Sequence, residues 1–328
     1  MTVALLEVED LSVVLPTARG PLRALDRVSL RLEQGRALGV VGESGSGKTM
    51  LSRAILQLLP PSARVSGSAR FDGQSLQTLP PQALRALRGK EIAVVFQDPM
   101  TSLNPVLTVG LQIVETLQEH LGLAASAAWL RAVELLASVG IPEAERRVRQ
   151  YAHELSGGMR QRVAIAIALS CQPRLLLADE PTTALDVTVQ AQILDLLARE
   201  RSKRNMAMML ITHDLGVVAG RTDAVLVMYA GRVMEFASTR TLFKRMRHPY
   251  TEALLAAIPK IDAAPHTPLA AIAGAPPDPT RPAPGCPFAP RCRYCRPDCR
   301  DGAPALQGAG DHQFACVHPL AVATRGVA

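Results

Sequence analysis

The chain has 328 residues, of which 48% are hydrophobic and only 3% aromatic, and it carries a net charge of +7. That is enough apolar material for a core, and enough length for one large domain with an appendage or for two domains. It contains no uncharged apolar run of roughly eighteen residues, the length a membrane-spanning helix needs, and no Lys/Arg block interleaved with aromatics, so the scattered arginines read as a solvated surface and nucleic acid is not an expected partner. A position against the anionic inner face of a membrane is compatible with this charge.

Residues 1–10 carry Glu7, Glu9 and Asp10 and no basic segment, unlike a secretory signal, so a compartment with reduced thiols is expected. Residues 3–34 alternate apolar and polar in pieces, as in Leu6-Glu7-Val8-Glu9 and Val28-Ser29-Leu30-Arg31-Leu32, which predicts short antiparallel strands. Residues 36–41 form a short apolar run suited to a buried strand. Then comes Gly42-Glu43-Ser44-Gly45-Ser46-Gly47-Lys48-Thr49, which fits the phosphate-binding pattern G-x-x-x-x-G-K-[ST], followed by a helix over 49–59 that Pro60-Pro61 stops. Strand, glycine loop and helix are the arrangement that chemistry requires. Glycines let backbone N–H groups turn toward phosphate oxygens, and the helix N-terminus adds partial positive charge. Lys48 is expected to reach the β- and γ-phosphates of ATP and Thr49 to ligate Mg²⁺. The competing reading, a Gly/Ser turn with a chance lysine, does not explain the flanking strand and helix.

Further strands are predicted over 64–72 and 91–97. From about 98 to 155 the pattern turns helical, with apolar residues at helical spacing over 111–121 and 127–139 and a stop at Gly140-Ile141-Pro142. This predicts an all-helical insert in an α/β core. Residues 174–179 predict a buried strand ending in Asp179, residues 207–214 a strand ending near His213, and residues 223–237 a hairpin turning at Ala230-Gly231. After Pro259 the composition shifts to Pro, Gly, Ala and Cys, and a boundary is placed near residue 240.

Several motifs now stand in a fixed order. Leu155-Ser156-Gly157-Gly158-Met159-Arg160-Gln161-Arg162 resembles the signature motif of ATP-binding cassette (ABC) proteins, and Leu175-Leu176-Leu177-Ala178-Asp179-Glu180 resembles their Walker B strand. Ala184-Leu185-Asp186 resembles the D-loop, His213 the switch histidine and Gln97 the Q-loop glutamine. The resemblance implies an α/β fold: an ABC-type P-loop NTPase core (1–240) with an N-terminal antiparallel β part, an inserted α-helical subdomain (98–155) and a Cys-rich C-terminal extension (241–328). It implies that Gly42, Glu43, Ser44, Gly45, Ser46, Gly47, Lys48 and Thr49 bind ATP, that Thr49, Gln97 and Asp179 serve Mg²⁺, and that Glu180 is the general base, with His213 and Gln97 at the γ-phosphate. Ser156, Gly157, Gly158 and Met159 would serve the nucleotide of a partner subunit across a head-to-tail dimer, and Asp186 is the D-loop residue. Gln97 would couple the nucleotide to movement of the helical insert. One departure stands out: the family stacks adenine on an upstream aromatic, and here no Phe, Tyr or Trp precedes Phe71. An apolar or guanidinium contact near Leu15 to Arg19 would have to replace it.

Three segments narrow the resemblance. Phe96-Gln97-Asp98-Pro99-Met100-Thr101-Ser102-Leu103-Asn104-Pro105, His248-Pro249-Tyr250-Thr251-Glu252-Ala253-Leu254-Leu255 and Gly285-Cys286-Pro287-Phe288-Ala289-Pro290-Arg291-Cys292 are similar to segments of oligopeptide and dipeptide importer ATPases. This implies a peripheral subunit on the cytoplasmic face of the inner membrane. Its partners would be two permeases, a second ATPase that the subfamily makes a paralogue, and, indirectly, an extracytoplasmic solute-binding protein. Nickel, glutathione or an opine are alternative solutes. A non-transport ABC ATPase is a rival reading, but this chain lacks the second cassette, coiled coil or zinc insertions of such proteins. A redox- or metal-responsive regulator with vestigial ATPase is another, set against by intact Lys48, Asp179, Glu180 and His213.

Of six cysteines, five fall in the tail: Cys286, Cys292, Cys295, Cys299 and Cys316. Cys171 reads as a small buried hydrophobe. The tail is poor in large apolar residues and needs a staple. Four thiolates suit a [4Fe–4S] cluster or tetrahedral zinc, and free thiols or disulfides stay open as well. The subfamily's iron–sulfur pattern maps onto Cys286, Cys292, Cys299 and Cys316, with Cys295 left over, in a structural role.

Overall fold

Ala37–Val41 (β3) is five apolar residues in a row, all buried, as a strand covered on both faces must be. The computed structural model, which describes residues 4–98, 102–183, 185–258, 271–282 and 284–321, builds two compact units around such strands. One unit holds Glu33–Arg36 and Thr78–Ile211 with the first residues of the chain; the other holds Leu6–Leu32, Ala37–Gln77 and Thr212–Ala328.

In the second of these, β1 (Ala4–Thr17) and β2 (Gly20–Glu33) form an antiparallel sheet with β4 (Arg64–Phe71) and β5 (Gln74–Ser75), in the order β2-β1-β4-β5. Each of the first two strands is 14 residues long rather than a set of short pieces. A bulge explains why the pattern reads as pieces. The β1–β4 register shifts between Glu9 and Ser12, where Asp10 has φ +45°, so the buried positions change phase from Leu6 and Val8 to Leu11 and Val13. Arg27, at φ +51°, marks the same phase change in β2, from Leu25 to Val28, Leu30 and Leu32.

The same unit carries β3, the helix α1 (Lys48–Ile55), and the hairpin β9 (Ala224–Tyr229) and β10 (Arg232–Ser238). Strand β3 pairs parallel with β9, Val41 opposite Val227, and β9 pairs antiparallel with β10. Two short tail strands, β11 (Gln307–Ala309) and β12 (His312–Phe314), extend the run to β11-β12-β10-β9-β3.

The other unit contains three parallel strands, β6 (Ile92–Val95), β7 (Leu175–Asp179) and β8 (Ala207–Thr212, whose last residue falls in the second unit), with Val95 opposite Ala178 and Asp179 opposite Ile211. Its helices include α2 (Pro81–Leu87), α3 (Val109–Leu121), α4 (Ala125–Ser138), α5 (Ala144–Arg147), α6 (Gly157–Leu169) and α7 (Val187–Arg204). Helix α3 is capped at both ends, by the Thr108 side chain and by Gly122 at φ +65°. Helix α7, 18 residues long, has no counterpart in the sequence reading. Beyond β8 lie α8 (Leu215–Val218), α9 (Thr239–Arg245) and α10 (Pro249–Ala256). No helix among the described residues is long and apolar enough to cross a membrane.

Candidate functional site

The phosphate loop leaves β3 at Gly42 and enters α1 at Lys48. Its glycines are steric requirements. Gly47 has φ +100°, and a Cβ there would lie 2.7 Å from the Ala24 carbonyl oxygen; a Cβ on Gly42 would lie 2.1 Å from the carbonyl oxygen of Met228. Gly47 caps α1 without a side-chain hydrogen bond, so no cap side chain covers the helix start, the end of a helix that favours an anion. Lys48 is buried, and its ammonium donates to the carbonyls of Gly42 (2.7 Å) and Glu43 (3.0 Å) and to Ser46 Oγ (3.4 Å), so it sits within the loop that needs its charge. Glu43 behaves differently from its neighbours. Its backbone N–H donates to the Tyr250 hydroxyl at 2.9 Å and its carboxylate holds Arg291, so both groups are tied to the C-terminal segment.

In the other unit, Asp179 ends β7 and is buried at 3% exposure. Glu180 follows with φ +47°, a conformation that non-glycine residues rarely adopt, which turns its side chain away from the strand's alternation. Its backbone N–H donates to the Ile211 carbonyl at 2.9 Å, tying the bend to β8. The pairing of Val95 with Ala178 puts Gln97 level with Glu180 past the strand ends, and Gln97 Nε2 donates to Glu180 Oε2 at 3.1 Å. The Thr183 hydroxyl donates to the same oxygen at 3.0 Å. His213, one residue beyond β8, is exposed.

Ser156 caps α6, its Oγ accepting from the Met159 N–H at 3.4 Å, and Asp186 caps α7 by accepting from the Val189 N–H at 2.9 Å. The two helix starts touch: a Cβ on Gly158 would sit 2.8 Å from Val189 Cγ1, and one on Gly157 would sit 3.7 Å from Leu185 Cδ2. Ser156 and Gly157 are exposed. Ala184 of the D-loop and Pro99-Met100-Thr101 of the Q-loop segment lie outside the described residues. No aromatic approaches the phosphate loop from upstream; Leu15 is half-buried and Arg19 exposed.

In the tail, Cys286, Cys292, Cys299 and Cys316 line one cavity with His248 and Phe288, and Cys295 is not part of its wall. All six cysteines are free thiols, and Cys171 is buried as the sequence suggests. Burial pushes the Cys286 thiol up to about 11, and Cys292 and Cys316 upward as well, so a cation is what would hold them as thiolates. Burial also lowers His248 to about 4, leaving it neutral. Its Nδ1 accepts from the Tyr250 N–H at 3.0 Å, which puts the proton on Nε2, and the ring's other polar neighbour is the Ala315 backbone. Tetrahedral zinc at Zn–S about 2.3 Å needs sulfurs about 3.8 Å apart. Among the described residues the one group of three possible ligands within 4.8 Å of one another is Asp298, Cys299 and His318, and no three of the tail sulfurs are that close. The four thiols are thus spaced wider than one zinc requires.

The strand, the glycine loop and the uncapped helix start define a P-loop nucleotide-binding fold. Residues 25–183 match the family described as ABC transporter, and residues 234–299 match the oligopeptide/dipeptide transporter C-terminal region. The chain is 47% identical to the oligopeptide transport ATP-binding protein OppD of Salmonella typhimurium, over 96% of this chain and 94% of that protein. It is 48% identical to the dipeptide transport ATP-binding protein DppD of Escherichia coli, over 97% of each. A Mycobacterium bovis protein named OppD is 50% identical over 99% of this chain, which spans 53% of that longer relative. Among solved structures, a dimeric post-hydrolysis state of the ATP-binding cassette MJ0796 bound to ADP and Pi matches at TM-score 0.65 and 27% identity, over 72% of this chain and 99% of that one. The cbiO1 protein of Clostridium perfringens, part of an ABC transporter complex, matches at TM-score 0.62 and 28% identity, over 73% of this chain and 90% of that one. The chain belongs to the ABC transporter ATP-binding proteins, with the ABC cassette fold and its mixed α/β sheets.

Proposed function

We propose that this chain is the ATP-binding and ATP-hydrolysing subunit of an importer of di- and oligopeptides, bound peripherally at the cytoplasmic face of the membrane. The observation that carries this is identity of 47–48% along nearly the whole chain to proteins named as oligopeptide and dipeptide transport ATP-binding proteins, with the matched C-terminal region supporting the same branch. The chain works with two permeases, a second ATPase subunit and, indirectly, a solute-binding protein. The domain plan is a cassette over 1–240 with a helical insert over 98–155, and a Cys-rich extension over 241–328.

Lys48 and the loop N–H groups hold the triphosphate, and Thr49, Gln97 and Asp179 are the residues that would hold Mg²⁺, which neutralises phosphate charge when bound. Glu180 takes a proton from the attacking water, which adds to the γ-phosphorus as the bond to ADP breaks, giving ADP and phosphate. Gln97, hydrogen-bonded to Glu180, orients that carboxylate, and His213 contacts the γ-phosphate. Ser156, Gly157, Gly158 and Met159 bind the partner's ATP, and Asp186, by capping α7, fixes the helix start packed against Gly158. In the tail, four thiols on one cavity and the wide sulfur spacing support a [4Fe–4S] cluster on Cys286, Cys292, Cys299 and Cys316 more than a zinc ion, in a structural role.

The test is reconstitution in proteoliposomes with the permeases and binding protein encoded alongside it, measuring ATP-dependent uptake of labelled di- and oligopeptides. Uptake that requires ATP and this chain is expected. Hydrolysis coupled to nickel or another solute, with no peptide movement, would reassign the cargo.

A further inference from the structure

Glu43 is a carboxylate inside a loop built to bind an anion, and a negative charge there opposes the loop's purpose unless it is neutralised. The structure neutralises it from the C-terminal segment. Arg291 Nη1 donates to Glu43 Oε2 at 2.6 Å and Nη2 to Oε1 at 2.9 Å, the two parallel bonds of a bidentate pair. The Arg291 side chain is 3% exposed. Its other donors are all used: Nη1 also reaches the Tyr229 hydroxyl at 3.1 Å, Nη2 the Ile272 carbonyl at 3.0 Å, and Nε the Ala273 carbonyl at 2.9 Å. All five guanidinium hydrogens therefore have acceptors, and the group is fixed in one orientation.

A second tie reaches the same residue. The Tyr250 hydroxyl accepts the Glu43 N–H at 2.9 Å. Tyr250 is fully buried against Tyr229, with ring centroids 4.6 Å apart, and against Phe288 at 5.1 Å. The Glu43 carbonyl in turn accepts from Lys48 Nζ at 3.0 Å and from the Ser46 N–H at 3.1 Å. The residue gripped from the tail is thus the one that shapes the turn around Lys48. Arg291 closes the short 3₁₀ turn Ala289–Arg291 and directly precedes Cys292, one of the four cavity thiols.

We propose that Arg291 and Tyr250 are positioning residues of the phosphate loop, so that the cysteine-bearing turn of the C-terminal segment sets the affinity for ATP through Glu43. This rests on the reading of the loop as an ATP site. Its test is titration of ATP with Mg²⁺ into the full chain carrying Glu180→Gln, which keeps nucleotide from turning over. Arg291→Met is expected to weaken ATP about tenfold, because an unpaired carboxylate is left beside the triphosphate. Glu43→Gln alone loses less, and adding it to Arg291→Met recovers part of the loss. Tyr250→Phe, which keeps the ring packing, also weakens binding. With Glu180 intact, Arg291→Met raises KM for ATP with kcat kept within about twofold, whereas a variant that simply leaves less folded protein lowers kcat and leaves KM alone.

Losses that multiply in the double variant, or a fall in kcat at unchanged KM, overturn the proposal. Should Arg291→Met fail to fold, Glu43→Gln, at a side chain 27% exposed, carries the test with Tyr250→Phe, and unchanged affinity in both refutes it. Background protein that binds ATP and loses it on Lys48→Ala, while Arg291→Met and Glu43→Gln bind as before, overturns this proposal alone. Background protein that takes no ATP overturns the nucleotide reading as well.

Discussion

Replacing Glu180 by glutamine tests the chemistry with least disturbance of the structure. Glu180 Oε2 accepts from Gln97 Nε2 and from the Thr183 hydroxyl. Glutamine keeps the volume and can present its amide oxygen to the same two donors, so the loss in folding stability is expected to be about 1 kcal/mol or less, the difference between a charge-assisted and a neutral hydrogen bond. What glutamine cannot do is accept a proton. General-base assistance contributes about 10²–10⁴-fold, or about 3–5 kcal/mol of barrier, so turnover in the assembled transporter is expected to fall to about a hundredth or less with ATP affinity retained. Glu180→Gly separates the backbone from the chemistry. The φ of +47° costs on the order of 1–3 kcal/mol for a non-glycine residue. Glycine removes that strain but adds about 0.5–1 kcal/mol of unfolded-state entropy. It also gives up the two hydrogen bonds to the carboxylate, about 1.5–3 kcal/mol each, so the variant is expected to melt below wild type but above Glu180→Ala, which gives up the same bonds and keeps the strain, while hydrolysing no faster than Glu180→Gln. Calorimetry and a coupled phosphate-release assay read both. Turnover above about a tenth of wild type in Glu180→Gln would remove Glu180 as base, and a melting point for Glu180→Gly no higher than that of Glu180→Ala would show that the left-handed bend carries no strain.

The remaining expectations are briefer. Lys48→Ala is expected to weaken ATP binding at least tenfold, on the order of 1.4 kcal/mol, and unchanged affinity would count against the loop. Gly158→Ala places a methyl 2.8 Å from Val189 Cγ1; a helical valine has one strongly preferred rotamer and cannot swing clear, so about 1–3 kcal/mol of stability is lost. Val189→Ala in the same chain should restore the melting temperature, and failure to do so would mean that the clash is not the cause. Anaerobically prepared protein should show iron, labile sulfide and visible absorption that Cys286→Ser, Cys292→Ser, Cys299→Ser or Cys316→Ser diminishes and Cys295→Ser leaves intact; colourless, iron-free protein would dismiss the cluster.

Local chemistry was the legible part of the sequence. The strand, loop and helix around Lys48, the acid ending β7 and the hairpin at Ala230-Gly231 each depend on near neighbours in the chain, and each stands where the pattern puts it. The long first strands read as fragments in the sequence because the bulge at Asp10 changes which parity is buried. Helix α7 escapes the pattern because it opens on two exposed residues, Val187 and Thr188, after a turn and its buried residues are confined to Ile193–Glu200. The Arg291–Glu43 pair spans 248 positions, a separation no periodicity reports. Its trace was nonetheless visible as an acid one residue into an anion-binding loop, which demands a cation from somewhere.

The tail strand β12 lies along β10, pairing Glu235 with Phe314 and Ala237 with His312, and β11 closes the row with three exposed residues that include a glycine. Chain cut just before this segment would bare the hydrogen-bonding rim of β10, with Val233 and Met234 beside it, ready to zip onto a copy of itself. Shortened versions made to isolate the cassette are therefore poor reagents: they invite clumping, and inactivity in such a preparation would say nothing about nucleotide chemistry.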